Sequence, residues 1–291
     1  MDKIDELLTR GVENIIPNKE ELEKVLRSGK NLRIYQGFDP TSPNLHIGHL
    51  AGLRKLAAWQ ELGHEVIFLI GNFTAMVGDP SGKDKTRPLL SEEQVQENGK
   101  TYKTQAAKVL RFEGKNPVQL KFNGDWLGKL SAVEVAKIAS YLTIQQVMER
   151  DMFQKRFQTG GDVSVSEFLY PLMQGYDSVA MDIDVEIGGN DQFFNMMTGR
   201  DLMHKIKQKN KFVMALKLIV DSLGKKIGKT EGNAIGLLLP ATQMFGMLMT
   251  LDDKVIGDCF EGITTVPMEK VSEVAKRLLS GENPMILKKE L

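Results

Sequence analysis

A chain of 291 residues with 42% hydrophobic content is long enough to bury one large core and a smaller appendage. Its longest apolar runs fall far short of the ~20 residues that span a bilayer, and the mixed opening Met1-Asp2-Lys3-Ile4-Asp5-Glu6 does not read as a secretion signal, so no membrane partner and a cytoplasmic location are expected. The 38 basic residues balance 38 acidic ones and Cys259 is the single cysteine, which excludes an internal disulfide, a cysteine zinc cage and nucleic-acid binding driven by net charge rather than a local patch.

In chain order, Leu32 to Phe38 reads as a first strand. It enters the turn-rich Asp39-Pro40-Thr41-Ser42-Pro43-Asn44, after which His46 to Leu62 has helical periodicity and stops at Gly63. Glu65 to Ile70 reads as a buried strand leading into a loop with Gly78-Asp79-Pro80-Ser81-Gly82-Lys83. Ser91 to Phe112 reads as one long polar helix and Val118 to Phe122 as a third strand. Ser131 to Tyr141 and Ser164 to Met181 are expected as helices, Asp184 to Ile187 as a short strand, Gln192 to Ile206 as a helix and Phe212 to Val220 as extended chain. This alternation predicts an α/β fold with a parallel sheet and crossover helices. After Asn233 the pattern turns helical, with Pro240, Pro267 and Pro284 near helix starts, so a helical appendage is expected from residue 234. Pro284 to Leu291 starts like a helix without a stop signal, as if the chain were cut within an element.

Half of the four histidines, His46 and His49, stand three residues apart in Asn44-Leu45-His46-Ile47-Gly48-His49-Leu50. They read as ordinary first-turn residues, as zinc ligands or as phosphate donors. Zinc is disfavoured because helical ligands usually sit at i, i+4 beside a glutamate. A helix N-terminus directly after a strand offers N–H groups and the positive dipole end to an anion, and Gly48 permits close approach. On these residues alone the structural and functional readings stand level. Farther on, Tyr170, Gln174 and Asp177 fall on one face of a helix that Ser164 and Glu167 are placed to cap. Its neighbours Phe168, Leu169, Leu172 and Val179 are too apolar for a surface helix, which favours a polar pocket wall. Lys205-x-Lys207-x-Lys209-x-Lys211 suits the negative end of the preceding helix better than a nucleic-acid contact.

Together these segments carry a resemblance. Tyr35-Gln36-Gly37-Phe38-Asp39-Pro40-Thr41 followed by His46-Ile47-Gly48-His49 resembles the first signature of class I aminoacyl-tRNA synthetases in its tyrosyl form. Lys226-Ile227-Gly228-Lys229-Thr230 resembles the Lys-Met-Ser-Lys-Ser loop of the second, and Tyr170-x-x-x-Gln174-x-x-Asp177 is similar to the family's tyrosine-binding helix. The resemblance implies a Rossmann-like nucleotide-binding catalytic domain over residues 1–233. It places a connective insertion at about 115–157 through which such enzymes form homodimers, then a partial helical anticodon-binding region over 234–291, with the small C-terminal RNA-binding domain absent. Its substrates are L-tyrosine, ATP with Mg²⁺ carried on the phosphates, and tRNA(Tyr). Tyrosine and ATP give tyrosyl-adenylate and pyrophosphate, and the tyrosyl group then passes to the 3′ end of the tRNA, a step expected to be weak in so short a chain.

The same resemblance distributes the roles. Thr41 and His46 bond the γ-phosphate and His49 lies near the ribose. Lys83, Arg87, Lys226 and Lys229, with Thr230 in the same loop, clamp the departing pyrophosphate. Tyr170, Gln174 and Asp79 hold the tyrosine ammonium, while Asp177 and Tyr35 meet its hydroxyl. Asp191 takes the ribose 2′-hydroxyl and Gln192 lies beside the tyrosyl carboxylate. Gly37, Asp39 and Gly48 belong to the nucleotide site. Gln36 and Gly52 depart from the smaller or hydroxyl-bearing residues usual near the ribose, and Gly-Asn-Asp-Gln-Phe-Phe-Asn replaces the frequent Asp-Gln-Trp version. A tryptophanyl synthetase shares the first motif, yet Tyr35 with Asp177 favours a phenolic substrate. A smaller nucleotidyltransferase would lack the second lysine loop, and an RNA-binding paralogue has little reason to keep the whole constellation.

Overall fold

The computed structural model describes residues 2–81, 89–220 and 234–291, and one six-stranded sheet forms its centre. In chain order the strands are β1 (Val12–Ile16), β2 (Arg33–Phe38), β3 (Glu65–Ile70), β4 (Gln119–Phe122), β5 (Val185–Gly189) and β6 (Phe212–Leu216). Across the sheet they run β1-β6-β5-β2-β3-β4, with β1 antiparallel to β6 and the other pairs parallel. In β3 Val66 to Ile70 are all buried, which is why this strand reads as a continuous apolar run instead of an alternation. The mixed α/β architecture with a mostly parallel sheet is the expected one.

The helices are α1 (Lys3–Thr9), α2 (Lys19–Arg27), α3 (Ile47–Glu61), α4 (Thr74–Val77), α5 (Glu92–Gly99), α6 (Tyr102–Ala106), α7 (Gly124–Leu127), α8 (Ala132–Ala139), α9 (Ile144–Met148), α10 (Asp151–Gln158), α11 (Val165–Met181) and α12 (Phe193–Lys207), then α13 (Ala241–Met249), α14 (Ile256–Ile263), α15 (Met268–Leu279) and α16 (Pro284–Glu290). α3 crosses from β2 to β3 and buries Leu53, Leu56 and Trp59 completely. From β2 the chain steps to β3 and β4 on one side, whereas β5 and β6 lie on the other. The carboxyl ends of β2 and β5 therefore flank a topological switch point, where parallel sheets open their binding crevice. Cys259 and Ile263 of α14, with Val255 just before it, join the main core beside Leu53 and Leu56, so the helical segment packs on α3. No helix among the described residues is long and apolar enough to cross a membrane.

Three expectations need correction. Leu32 to Phe38 is not the first strand: α1, β1 and α2 precede it, and β1 was hidden because Val12-Glu13-Asn14-Ile15-Ile16 alternates poorly around a register shift. The helix expected over Ser91 to Phe112 divides into α5 and α6, with Lys100 and Thr101 between them. Gly99, a poor helix former, packs against Pro40 at that break. The restart presents two side chains to the 39–45 loop: Tyr102 donates to the Ser42 carbonyl at 2.8 Å, and Gln105 both donates to the Pro43 carbonyl and accepts from Leu45 N–H at 2.8 Å. Finally, the extended segment expected to reach Val220 leaves the β5–β6 ladder at Leu216.

Candidate active site

His46 is the N-cap of α3, and its pairing with His49 is a capping box built from imidazoles. Gly48 N–H donates to His46 Nδ1 at 3.1 Å, and His46 N–H donates to His49 Nδ1 at 3.0 Å. A ring nitrogen that accepts a backbone N–H carries no proton, so each ring is held as the Nε2–H tautomer. The rings lie 3.8 Å apart, centroid to centroid. This corrects the expectation of free backbone donors at the helix start: Ile47 N–H is already given to the Ile235 carbonyl at 2.9 Å and Gly48 N–H to His46. The backbone donors at this terminus are thus committed within the fold. The same contact region is a two-sided staple, because Leu237 N–H donates to the Leu45 carbonyl at 2.9 Å and His46 bridges Gly236. Residues 235–237, far along the chain, are thereby anchored beside the first signature.

Gly37 is exposed although it lies in a central strand, which marks the open crevice above β2. Gln36 and Gly52 turn out to be a volume-matched pair: a Cβ on Gly52 would come within 2.2 Å of Gln36 Oε1. The two departures from the family pattern thus compensate each other. Asp39 accepts Thr74 Oγ1 at 2.7 Å and the Tyr170 hydroxyl at 2.9 Å, so its carboxylate ties α11 to α4. Thr41 N–H closes a turn onto the Asp39 carbonyl at 2.7 Å.

α11 starts as expected, with Ser164 N–H donating to Glu167 at 2.8 Å. Arg156 of α10 grips the same Glu167 through both carboxylate oxygens, at 2.7 and 2.9 Å, and both side chains are buried. The Tyr170, Gln174 and Asp177 stripe faces inward. At one end Asp79, in the loop after α4, accepts Gln192 Nε2 at 2.7 Å, and Asn195 Nδ2 lies 3.0 Å from Gln174 Oε1 and 3.4 Å from Asp79. Arg150 donates to Ser81 at 2.8 Å and lies over the Phe194 ring. At the other end Asp177 accepts Trp126 Nε1 at 2.8 Å and Asn123 Nδ2 at 3.2 Å. Burial pushes its carboxyl well above the usual carboxylate range, against the pull of those two donors. Tyr35 Oη lies 3.2 Å from Ser178 Oγ and 3.4 Å from the Gln174 carbonyl, and burial raises the phenol so that it stays protonated. Asp191 sits in the turn after β5, over Gly189, where a Cβ would come within 2.5 Å of its Oδ1.

The structure thus brings together Tyr35, Asp79, Tyr170, Gln174, Asp177 and Gln192 as one pocket, with Gly37, Asp39, Thr41, His46, Gly48, His49 and Asp191 at the carboxyl ends of β2 and β5. Lys83, Arg87, Lys226, Lys229 and Thr230 lie outside the described residues. Sequence reasoning missed Asn123, Trp126, Ser178, Glu186 and Asn195. Only Asn195 left a signal, three residues after Gln192 at the start of a helix. Of the lysine run, Lys205 donates to the Tyr141 carbonyl, Lys209 bonds the Asp182 carbonyl and Asp184, and Lys211 is completely buried against Glu186. A cavity of about 520 Å³ between α1, α3 and α14, lined by Arg10, Lys55 and Glu261, contains none of the residues picked out from the sequence.

A family model described as class I tRNA synthetases of the tryptophan and tyrosine type matches residues 27–290. The tyrosine–tRNA ligase of Oleidesulfovibrio alaskensis is 44% identical over the whole chain, which spans 73% of that relative, and the one from Dehalococcoides mccartyi is 41% identical with the same coverage. In fold, the chain matches the crystal structure of a tyrosyl-tRNA synthetase from Archaeoglobus fulgidus complexed with L-tyrosine, with a TM-score of 0.76 at 22% identity over 99% of this chain and 94% of that one.

Proposed function

We propose the following chemistry for this chain, which belongs to the class I tRNA synthetases of the tryptophan and tyrosine type: L-tyrosine is activated by ATP to tyrosyl-adenylate, and the tyrosyl group is then ligated to tRNA(Tyr). The relatives that match the whole chain are tyrosine–tRNA ligases. The observation that carries the choice of amino acid is the unlike character of the two pocket ends. Asp79 and Gln174 Oε1 gather acceptors beside Tyr170, which suits an ammonium. Asp177 and Tyr35 offer an acceptor and a hydroxyl at the far end, which suits a phenol and leaves an indole unmatched.

The tyrosine carboxylate attacks the α-phosphorus in line as the bond to the bridging oxygen breaks and pyrophosphate leaves. No protein nucleophile takes part, so the work falls on positioning and charge stabilisation. His46 Nε2–H and Thr41 meet the phosphate whose charge grows, and His49 and Asp191 lie toward the ribose, with Gly37 and Gly48 leaving room. Gln192 holds Asp79 on the carboxylate side. Lys83, Arg87, Lys226, Lys229 and Thr230 complete the pyrophosphate clamp. Mg²⁺ enters on the ATP phosphates in this reading, since it keeps several waters and binds mostly through substrate phosphates.

Pyrophosphate exchange into ATP tests the reading. It is expected with L-tyrosine and at background level with L-tryptophan; exchange driven equally by tryptophan, or none with tyrosine, overturns it. Residues 1–233 act as the catalytic unit and 234–291 as part of the anticodon-binding region, in a cytoplasmic enzyme, which cell fractionation checks.

The chain also forms a homodimer in this reading. Val133, Ile144, Phe157 and Val165 are each at least 70% exposed, an apolar set in and beside the 115–157 insertion. Sedimentation is expected to give a dimer for the unaltered chain and a monomer for Ile144→Asp/Phe157→Asp. A monomer at micromolar concentration in the unaltered chain sinks the assignment.

A further inference from the structure

We propose that the buried Lys211–Glu186 ion pair is a positioning device for Gln174: it fixes which end of the Gln174 amide faces the amino-acid ammonium, and so makes the pocket select an α-ammonium. The proposal rests on the reading that this cleft activates tyrosine. Glu186 of β5 is 1% exposed, and Lys211, directly before β6, is 0% exposed. A buried ion pair is weak evidence for stability, since well-packed apolar residues serve as well or better. Here the further side-chain partners of the pair belong to the pocket wall. Gln174 Nε2 donates to Glu186 Oε1 at 3.1 Å, Ser178 Oγ lies 3.2 Å from Glu186 Oε2, and Lys211 Nζ donates to Ser178 Oγ at 2.9 Å. Ser178 in turn touches Tyr35 Oη at 3.2 Å.

The polarity of this network is forced. Lys has donors only, and a carboxylate paired with it has acceptors only. The end of the Gln174 amide that faces Glu186 must therefore be NH₂. Its oxygen then faces Asn195 and the Asp79 side, where Asn195 Nδ2 donates to it at 3.0 Å. An ammonium also has donors only, so an amide flipped the other way would set NH₂ against it. The fold leaves volume for the pair: a Cβ on Gly199 would come within 2.5 Å of Lys211 Nζ, 3.1 Å of Glu186 Oε2 and 3.2 Å of Ser178 Oγ. With both charges and the serine fully enclosed, none of these atoms has room to yield.

The test compares L-tyrosine with 3-(4-hydroxyphenyl)propionate, which keeps the phenol and carboxylate but lacks the ammonium. In Glu186→Leu/Lys211→Met, which removes both charges together, KM for tyrosine in pyrophosphate exchange is expected to rise about 10- to 100-fold, the loss of one hydrogen bond to a charged group. The inhibition constant of the propionate should stay within about threefold, because its contacts do not use Gln174 Oε1. On a Gln174→Met background the same double substitution should add little. Equal weakening of both ligands means a merely structural pair and overturns the proposal, as does no change in either. If the double variant does not fold, Gly199→Ala presses on the pair from behind and should shift the tyrosine-to-propionate ratio in the same direction; an unchanged ratio there is equally fatal. Absence of tyrosine-dependent exchange in the unaltered chain would instead sink the functional reading itself.

Discussion

Replacing His46 by Asn should slow tyrosine-dependent pyrophosphate exchange by roughly 10²–10³-fold, the typical loss when one preorganised donor to a transition-state charge is removed. The KM for tyrosine should stay within about threefold. Asparagine is among the best N-cap residues, so it can still accept the Gly48 N–H that His46 Nδ1 accepts at 3.1 Å, and the start of α3 survives. What disappears is the Nε2–H on the far side of the ring. His46→Ala removes the cap as well, at a cost of about 1 kcal/mol, so it should lower the melting temperature where His46→Asn does not. Stopped-flow or exchange kinetics beside a thermal melt separate the two functions. A His46→Asn enzyme with unchanged kcat and a raised KM for tyrosine would show that His46 binds the ground state and would remove it from the chemistry.

Asp177→Asn should lower kcat/KM for tyrosine by about 100-fold, the cost of a lost bond to a charged group, and narrow the margin over phenylalanine. That margin, about 10⁵-fold in tyrosyl-tRNA synthetases, is a value measured for the family and borrowed here as a ceiling. The reason is local. Asp177 uses one oxygen for Trp126 and the other for Asn123, and only a carboxylate supplies two acceptor atoms. Asn123 cannot turn to help an amide, because its Oδ1 holds Phe73 N–H at 2.9 Å and its Nδ2 also reaches Thr74. An asparagine at 177 therefore sets its NH₂ against either the Asn123 NH₂ or the Trp126 N–H. Burial raises the Asp177 carboxyl above its unfolded value, so the stability it costs when ionised is relieved as pH falls through the folded value. Tyrosine selectivity should be lost over that same fall. Parallel kcat/KM measurements with tyrosine and phenylalanine decide the matter: an unchanged ratio would exclude Asp177 from recognising the hydroxyl.

Much of this architecture was legible because the decisive signals are local. Alternation of apolar strands with 3.6-periodic helices gave the parallel sheet, Ser164 and Glu167 marked the start of α11, and helical periodicity ending at Gly63 placed α3 to within a residue. What stayed hidden depends on partners distant in sequence. Glu186 reads as an ordinary strand residue, and Lys211 as the last of a lysine run suited to the negative end of the preceding helix, until β5 and β6 lie side by side. Trp126 and Asn123 carry no periodic pattern and gain meaning only where Asp177 meets them. The error about the helix terminus has the same origin, since the carbonyl that takes Ile47 N–H belongs to Ile235.

That last contact has a bearing on how the enzyme is born. During synthesis the first signature emerges roughly 190 residues ahead of Ile235, which is roughly 10–40 s at typical rates of about 5–20 residues per second. Throughout that interval the Ile47 N–H lacks its carbonyl and His46 lacks its bridge to Gly236. The nascent sheet can form early, but the start of α3 belongs to the late, long-range contacts of folding.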